Sequence, residues 1–463
     1  MDDIAKLQAQ YMMQCWSAQK DYQPLAVEKT EGCWIYTQDG RKIFDLRSAH
    51  ECINLGFRHP KVMQAIQAQM EKAVYVTDDF ATKPTALLAQ KLAKITPGSP
   101  NKKVWFSQSG ANAVEAAIKA ARMYQYNRLQ KDGKESLEGS SQYPFPYKII
   151  SRYRSWHGST AMASSASGDP RRWFQEPFNV PGFVYGPDAY CYRCPFGLEE
   201  TNCSMACANY LEQMITFEGG SGKVAAVLVE PLVGSNGIIP PPPGYFPRLR
   251  SICDEHDILL IVDETMTGMG RTGKMLAIEH YGIEPDIVIM GKALGMYSPL
   301  AATIFSEKIA RSFDDNIFGI GQSFSGHALS CAAALASIET LEEEHILEHT
   351  TRMGTYLGEK LLALKEKHIS IGDVRGLGLF YTLELVKDRR TKEPLRKVTE
   401  KYKKTVVSDI SQYLLEERNI YIPSDKFGIW IVPPLIVQKE EIDFLVEAID
   451  DALLLADEQL DHA

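Results

Sequence analysis

Three things are scarce in this chain, and each scarcity removes a class of function. Long apolar runs come first: none approaches the roughly 20 residues a helix needs to span a bilayer, and the start, MDDIAKLQAQ, has neither the basic nor the apolar region of a secretion signal. No membrane role is expected, and the predicted location is cytoplasmic. Positive charge is second. Lys and Arg number 50 against 59 Asp and Glu, the net charge is −9 and no long basic run occurs, so neither nucleic acid nor an anionic membrane is expected as a partner. Cysteine is third: nine residues, an odd count, dispersed apart from one cluster, suit a reducing compartment better than a disulfide framework. Repeats and low-complexity tracts are missing too. What remains is length. At 463 residues the chain exceeds the usual size of one core, so two domains around a large buried interior are expected.

The stretch from Lys223 to Ser298 holds three short apolar runs, each stopping at a charged residue: VAAVLVE at Glu230, ILLIVD at Asp263 and DIVIMGK at Lys292. None alternates apolar with polar, so each reads as a strand buried on both faces, the mark of a parallel sheet covered by helices. The fold class is therefore α/β. Ligands in open α/β sheets bind beyond the carboxyl ends of the strands, which here carry a glutamate, an aspartate and a lysine. A lysine held there, stripped of water and near cationic neighbours, becomes a nucleophile toward an aldehyde. An aspartate on a neighbouring strand is what a pyridinium nitrogen needs. Lys292 and Asp263 together match what a protein contributes to pyridoxal phosphate chemistry: a Schiff-base lysine and a carboxylate that keeps the ring nitrogen protonated. A structural Lys–Asp pair at a sheet edge is the competing reading.

Other segments supply smaller parts. WIYTQDGRKIFDL predicts a hairpin turning at Asp39-Gly40, and PKVMQAIQAQMEKA and FATKPTALLAQKLAKITPG predict helices. VWFSQSGANAVEAAIKAAR predicts a strand, a Ser109-Gly110-Ala111 turn and a strong helix, whose free N-terminal N–H groups suit a phosphate unless the turn merely connects. A polar surface loop runs from about Leu129 to Tyr147. The strand in YKIISRYR exits into Trp156-His157-Gly158, an aromatic able to stack on a planar cofactor or simply a packed Trp beside a satisfied His. Gly268, Gly270 and Gly273 give a loop able to pass close to a ligand. Ser323 and Ser325 read as N-caps of a long Ala-rich helix, and GLGLFYTLELV as a strand in a compact C-terminal part. Cys191, Cys194, Cys203 and Cys207 are spaced either for structural zinc or as free or redox-active thiols; no metal is assigned to the site.

Taken in order, SGANAVEAAIKAAR, WHGST, VLVEP, IVDETMTGMGRTG, IVIMGKALG and FSGHALSCAAA resemble the class III (ω-amino acid) aminotransferases of pyridoxal phosphate fold type I, over about 32–434. The resemblance implies a large domain with a mostly parallel sheet and a small α+β domain made by both termini. The boundaries expected are 1–59 and 336–463 for the small domain and 60–335 for the large one, with a Cys-rich insertion at 190–208. It further implies a homodimer with shared active sites, Lys292 as Schiff-base and proton-transfer residue, and Asp263 as pyridinium partner. Glu230 supports the cofactor, Trp156 stacks on its ring with His157 beside it, and Ser109, Gly110 and Ala111 form the phosphate cup. Ser323 is added to that cup from the partner subunit.

Three departures from the family pattern stand out. Thr265 and Met266 stand where many members have Val-Gln, Ser235 stands where ornithine-type members have a glutamate, and an arginine usual before the C-terminal Pro-Pro is replaced around Pro423, leaving Lys426 as the candidate cation. The texture of CYRCPFG resembles that of the taurine aminotransferases in particular. The expected reaction is transfer from an ω-amino donor, taurine going to sulfoacetaldehyde, onto pyruvate or 2-oxoglutarate. β-Alanine, γ-aminobutyrate or a diamine are alternative donors. An epimerase or aminomutase of the same fold would use the same Lys292 without an external acceptor, and a zinc-organised interaction protein would make the cysteines primary.

Overall fold

The computed structural model describes residues 3–131, 145–395, 405–423 and 428–461. Most of the polar loop expected at 129–147, and Lys426, lie outside the described residues. A seven-stranded sheet occupies the middle of the chain in the order Lys103–Ser107, Ala301–Phe305, Ile287–Met290, Leu259–Asp263, Val224–Val229, Lys148–Arg152, Phe183–Gly186. Only Ala301–Phe305 runs antiparallel to its neighbours. The unbroken apolar runs have the cause expected of them, because every residue of Val224–Val229, Leu259–Asp263 and Ile287–Met290 is buried.

Successive side chains point to opposite faces and find different partners there. Leu228, Ile261 and Ile289 pack on Ala113, Ala117 and Ala121 of the helix Gly110–Lys131, whose small residues let it lie close. Val227, Leu260, Val262 and Val288 face the opposite cluster, which holds Leu249 and Ile252 of the helix Tyr245–Glu255. Each such side chain contributes about 1.5–3 kcal/mol by leaving water. The three strand ends are therefore held by a rigid double-sided core.

The two ends of the chain meet outside this sheet. Val27–Glu31, Trp34–Thr37 and Lys42–Asp45 form an antiparallel sheet that Ile420–Tyr421 joins in parallel. The hairpin between the second and third strands turns at Asp39-Gly40, with Gly40 at φ 86°. Two expectations need correction here. GLGLFYTLELV is strand from Phe380 onward as expected, but it opens on a hairpin turn at Gly378-Leu379 between the antiparallel strands Ile371–Leu377 and Phe380–Asp388, where Gly378 takes φ 60° and a Cβ would come 2.6 Å from the Thr272 backbone. Ser323 and Ser325 are not helix caps. The helix begins at Ala328 behind His327, and the Ser325 hydroxyl donates instead to the Phe106 carbonyl at 2.9 Å.

Arg271 ties these parts together from the glycine-rich loop. It is fully buried and donates to Leu379 O at 3.0 Å, Pro433 O at 2.6 Å, Asn54 Oδ1 at 2.6 Å and Ser48 Oγ at 3.2 Å. Four acceptors from three remote segments lose their donor when it goes. Arg271→Met is therefore expected to lower stability by about 3 kcal/mol or more, read as a shifted denaturant midpoint.

Candidate active site

Asp263 ends its strand, Glu230 follows Val229 directly and Lys292 lies two residues past Met290, so the three stand at the ends of adjacent strands. Asp263 is 4% exposed; its Oδ2 accepts from His157 Nδ1 at 2.8 Å and its Oδ1 from the Thr265 amide at 3.0 Å. The carboxylate keeps the His157 proton on Nδ1 and leaves a buried Nε2 with no partner among the described residues. Glu230 accepts from the Trp156 amide at 3.2 Å and the Gly234 amide at 2.8 Å, and burial pushes its acid up. It thereby pins the Trp156 backbone. The Arg171 guanidinium covers one face of the indole at 3.7 Å from the centroid, and Trp16 meets it edge-on.

The Ser109-Gly110-Ala111 turn joins this group by contact. Gly110 opens a helix of 22 residues, and the Ser109 hydroxyl accepts from the Asn112 amide at 3.3 Å. A Cβ on Gly110 would lie 2.9 Å from Thr265 Cγ2, one on Gly291 3.2 Å from the same atom, and one on Gly158 2.5 Å from Ala111 Cβ. The approaches at Gly110 and Gly158 leave no room for a side chain, and the one at Gly291 is tight. The Thr265 hydroxyl, buried beside the helix start, has no partner among the described residues. Unpaired helix N–H groups, an orphan buried hydroxyl and the positive end of a long helix are what a phosphate needs. Ser323 stays apart: it is exposed, and its carbonyl accepts from the Tyr75 hydroxyl.

The lysine nitrogen does not have the cationic surroundings expected of it. Nζ donates to Glu51 Oε2 at 2.6 Å, and Glu51 Oε1 accepts from Arg47 Nε at 2.5 Å. The Glu51 side chain has no exposure. Burial alone would raise its acid, yet Arg47 and Lys292 hold it well below the usual carboxylate range. Arg47 in turn lies 4.2 Å from the Trp430 ring centroid. Sequence reasoning passes over Arg47, Glu51 and the orphan hydroxyl of Thr265. The signal available is DLRSAHE, with charges at 45, 47 and 51.

Met266 turns away from this group and packs on Gly234 and Ser235, the Ser235 hydroxyl lying 3.5 Å from its sulfur. Glu264 also points elsewhere. It accepts from the Ile278 amide at 2.7 Å and from the Thr267 hydroxyl, and burial still pushes its acid up to about 7. With a folded value above the unfolded one, its contribution is full below pH 4.5 and is lost as pH rises through 7. Glu264→Gln, which keeps both hydrogen bonds, is expected to raise stability at pH 8 by about 3 kcal/mol and to change little at pH 4.5, measured as paired denaturant midpoints. All nine cysteines are free thiols, and among the described residues no group of three or more His, Cys, Asp or Glu is placed to hold a metal ion. No helix among them is long and apolar enough to cross a membrane.

A mostly parallel sheet that brings lysine, aspartate and glutamate to neighbouring strand ends, beside a glycine-lined helix start, defines a pyridoxal phosphate-dependent enzyme. Residues 16–453 match the model of the aminotransferase class-III family, and the chain belongs to it. It is 33% identical to the taurine–pyruvate aminotransferase of Bilophila wadsworthia over 467 residues, 99% of this chain and 98% of that one. The leucine/methionine racemase of Thermococcus litoralis is 34% identical, covering 93% and 91%. The crystal structure of taurine:2-oxoglutarate aminotransferase from Bifidobacterium kashiwanohense, in complex with pyridoxal phosphate and glutamate, superposes with a TM-score of 0.90 at 32% identity, covering 99% and 98%. The protein is a class III aminotransferase of the pyridoxal phosphate fold, and its substrates are an amine donor and an oxo acceptor.

Proposed function

We propose that this enzyme moves the amino group of a short ω-amino acid, taurine foremost, onto pyruvate or 2-oxoglutarate. Lys292 would hold the cofactor covalently and, once free, would carry a proton on Nζ between the amine-bearing carbon and the cofactor. When bound, pyridoxal phosphate supplies the electron sink that makes that carbon acidic. Asp263 keeps the ring nitrogen charged, with His157 fixing its carboxylate. Trp156, set by Glu230, packs on the ring. Ser109, Gly110 and Ala111 hold the phosphate, with the partner subunit's Ser323 completing the cup across a homodimer interface.

The observation that carries the donor class is the line from Lys292 through Glu51 to Arg47. It sets a guanidinium one carboxylate away from the reacting nitrogen. A donor with an amine at one end and a compact acid at the other would bring its amine to Lys292 and its acid to Arg47. Sulfonate and carboxylate both suit a guanidinium. The taurine activities named for two relatives about one-third identical point the same way. Glu51 favours a second reading, a diamine whose far ammonium it would meet.

Single half-reactions decide between them. On adding taurine, β-alanine, γ-aminobutyrate, a diamine or L-alanine to the cofactor-loaded enzyme, the visible band is expected to convert with taurine and to be restored by one of the two oxo acids. A diamine converting faster than taurine would replace the donor assignment. Racemisation of an amino acid without any acceptor would replace the transferase assignment.

A further inference from the structure

Glu51 has no part in the proton and phosphate chemistry assigned above, although its carboxylate holds the lysine nitrogen at 2.6 Å. Its placement is costly in two ways. The side chain has no exposure, and a buried carboxylate is tolerated only while it is paired. It is also presented by an unusual backbone. Ser48, Ala49, His50 and Glu51 take φ of 48°, 46°, 59° and 61°, four successive non-glycine residues in the left-handed region, each costing about 1–2 kcal/mol.

The turn is secured from all sides. Asp45 accepts from the amides of Arg47 at 3.0 Å and Ala49 at 2.6 Å; the Ser48 hydroxyl donates to Val432 O at 2.7 Å and accepts from Arg271. Strain held this firmly at a reacting atom points to a role. Of the two cations on Glu51, Arg47 is permanent, whereas Lys292 leaves each time its nitrogen is joined to the cofactor.

We propose that Glu51 is the positioning residue that receives the Lys292 nitrogen whenever an amine donor displaces it from the cofactor. In that exchange one carbon–nitrogen bond forms to the donor nitrogen as the bond to Nζ breaks, and two protons pass from the donor nitrogen to Nζ. A donor arriving as an ammonium brings a third proton, which leaves Nζ as the ammonium that Glu51 pairs with. Glu51 thus favours lysine departure and opposes lysine return. It also parks the freed amine at one fixed point, so that its next proton transfer starts from a defined geometry.

The opposed effects give a test that damage to the fold does not imitate. Glu51→Gln keeps the shape and removes the charge. Two rates are measured by stopped-flow absorbance: the donor half-reaction of the loaded enzyme at saturating taurine or whichever amine converts best, and recombination of the cofactor-free protein with added pyridoxal phosphate. The first is expected to fall at least tenfold with little change in the donor concentration giving half the maximal rate. The second is expected to rise at least tenfold, because Nζ is no longer engaged by the Glu51 carboxylate at 2.6 Å.

The other charged and titratable groups that bear on the pair, Arg47, Asp45, His50, Cys52 and Arg271, are unchanged in this variant. Both rates falling together, or both staying within twofold of the parent, overturns the proposal. Glu51→Asp keeps the charge and draws it back by one methylene, and it serves if the glutamine variant does not fold. It is expected to slow the donor half-reaction and leave recombination near the parent rate; parental values for both would also overturn the proposal. Conversion of some amine donor by the parent enzyme stands independently of this outcome and tests the transferase reading on its own.

Discussion

Lys292→Ala is expected to abolish turnover, with a loss of about 10⁴-fold or more in the donor half-reaction. Two functions disappear with one side chain. On the proposed reading, the nitrogen that would join the cofactor is gone, and so is the base that would carry the proton between substrate and cofactor carbons. After borohydride reduction the parent chain is expected to gain the mass of the reduced cofactor at Lys292, and the variant to gain none. Visible absorbance at equal protein concentration separates loss of the bond from loss of cofactor binding, since the helix start at Gly110, proposed to hold the phosphate, and the Asp263 carboxylate remain. Stability is expected to fall only modestly, because Glu51 keeps its hydrogen bond to Arg47. A small primary amine added at high concentration is expected to restore part of the rate by filling the vacated space as a diffusible base. A loss of less than tenfold would remove Lys292 from the reaction and leave the Lys292–Glu51 contact as an ordinary ion pair.

The part of the site carried by the large sheet is legible in the sequence for a physical reason. Strands buried on both faces leave unbroken apolar runs, and such runs end visibly. Glu230, Asp263 and Lys292 can therefore be placed at strand ends from residue order alone. Parallel topology then brings those ends to one edge. The remaining pieces arrive by contacts that leave no local pattern. His157 meets Asp263 across 106 residues, so its position beside Trp156 is readable but its carboxylate partner is not. Glu51 meets Lys292 across 241 residues from a left-handed turn containing no glycine, and that turn is held by tertiary hydrogen bonds rather than by residue type. The turn at Gly378 is hidden for a similar reason. Its apolar residues continue the strand pattern on either side, and only the approach to the Thr272 backbone forces the bend.

Asp263→Asn is the second large expectation, a loss on the order of 10³-fold in the donor half-reaction, or about 4 kcal/mol of barrier. The amide fills the same space and accepts one hydrogen bond as before, so packing alone predicts little change. What it removes is a buried negative charge. Thr265 N–H and His157 Nδ1–H both donate to this carboxylate, which is 4% exposed, so its field is weakly screened. On the proposed reading, the cofactor's ring nitrogen would depend on that charge to stay protonated. His157→Ala is expected to cost less, about tenfold, because His157 touches the reaction only through Asp263. The double variant distinguishes this arrangement from two independent contacts. If His157 acts by orienting Asp263, then in the Asp263→Asn background its removal costs almost nothing further, so the two losses fail to multiply. Independent multiplication would place His157 on the cofactor itself, with its free Nε2 as the contacting atom.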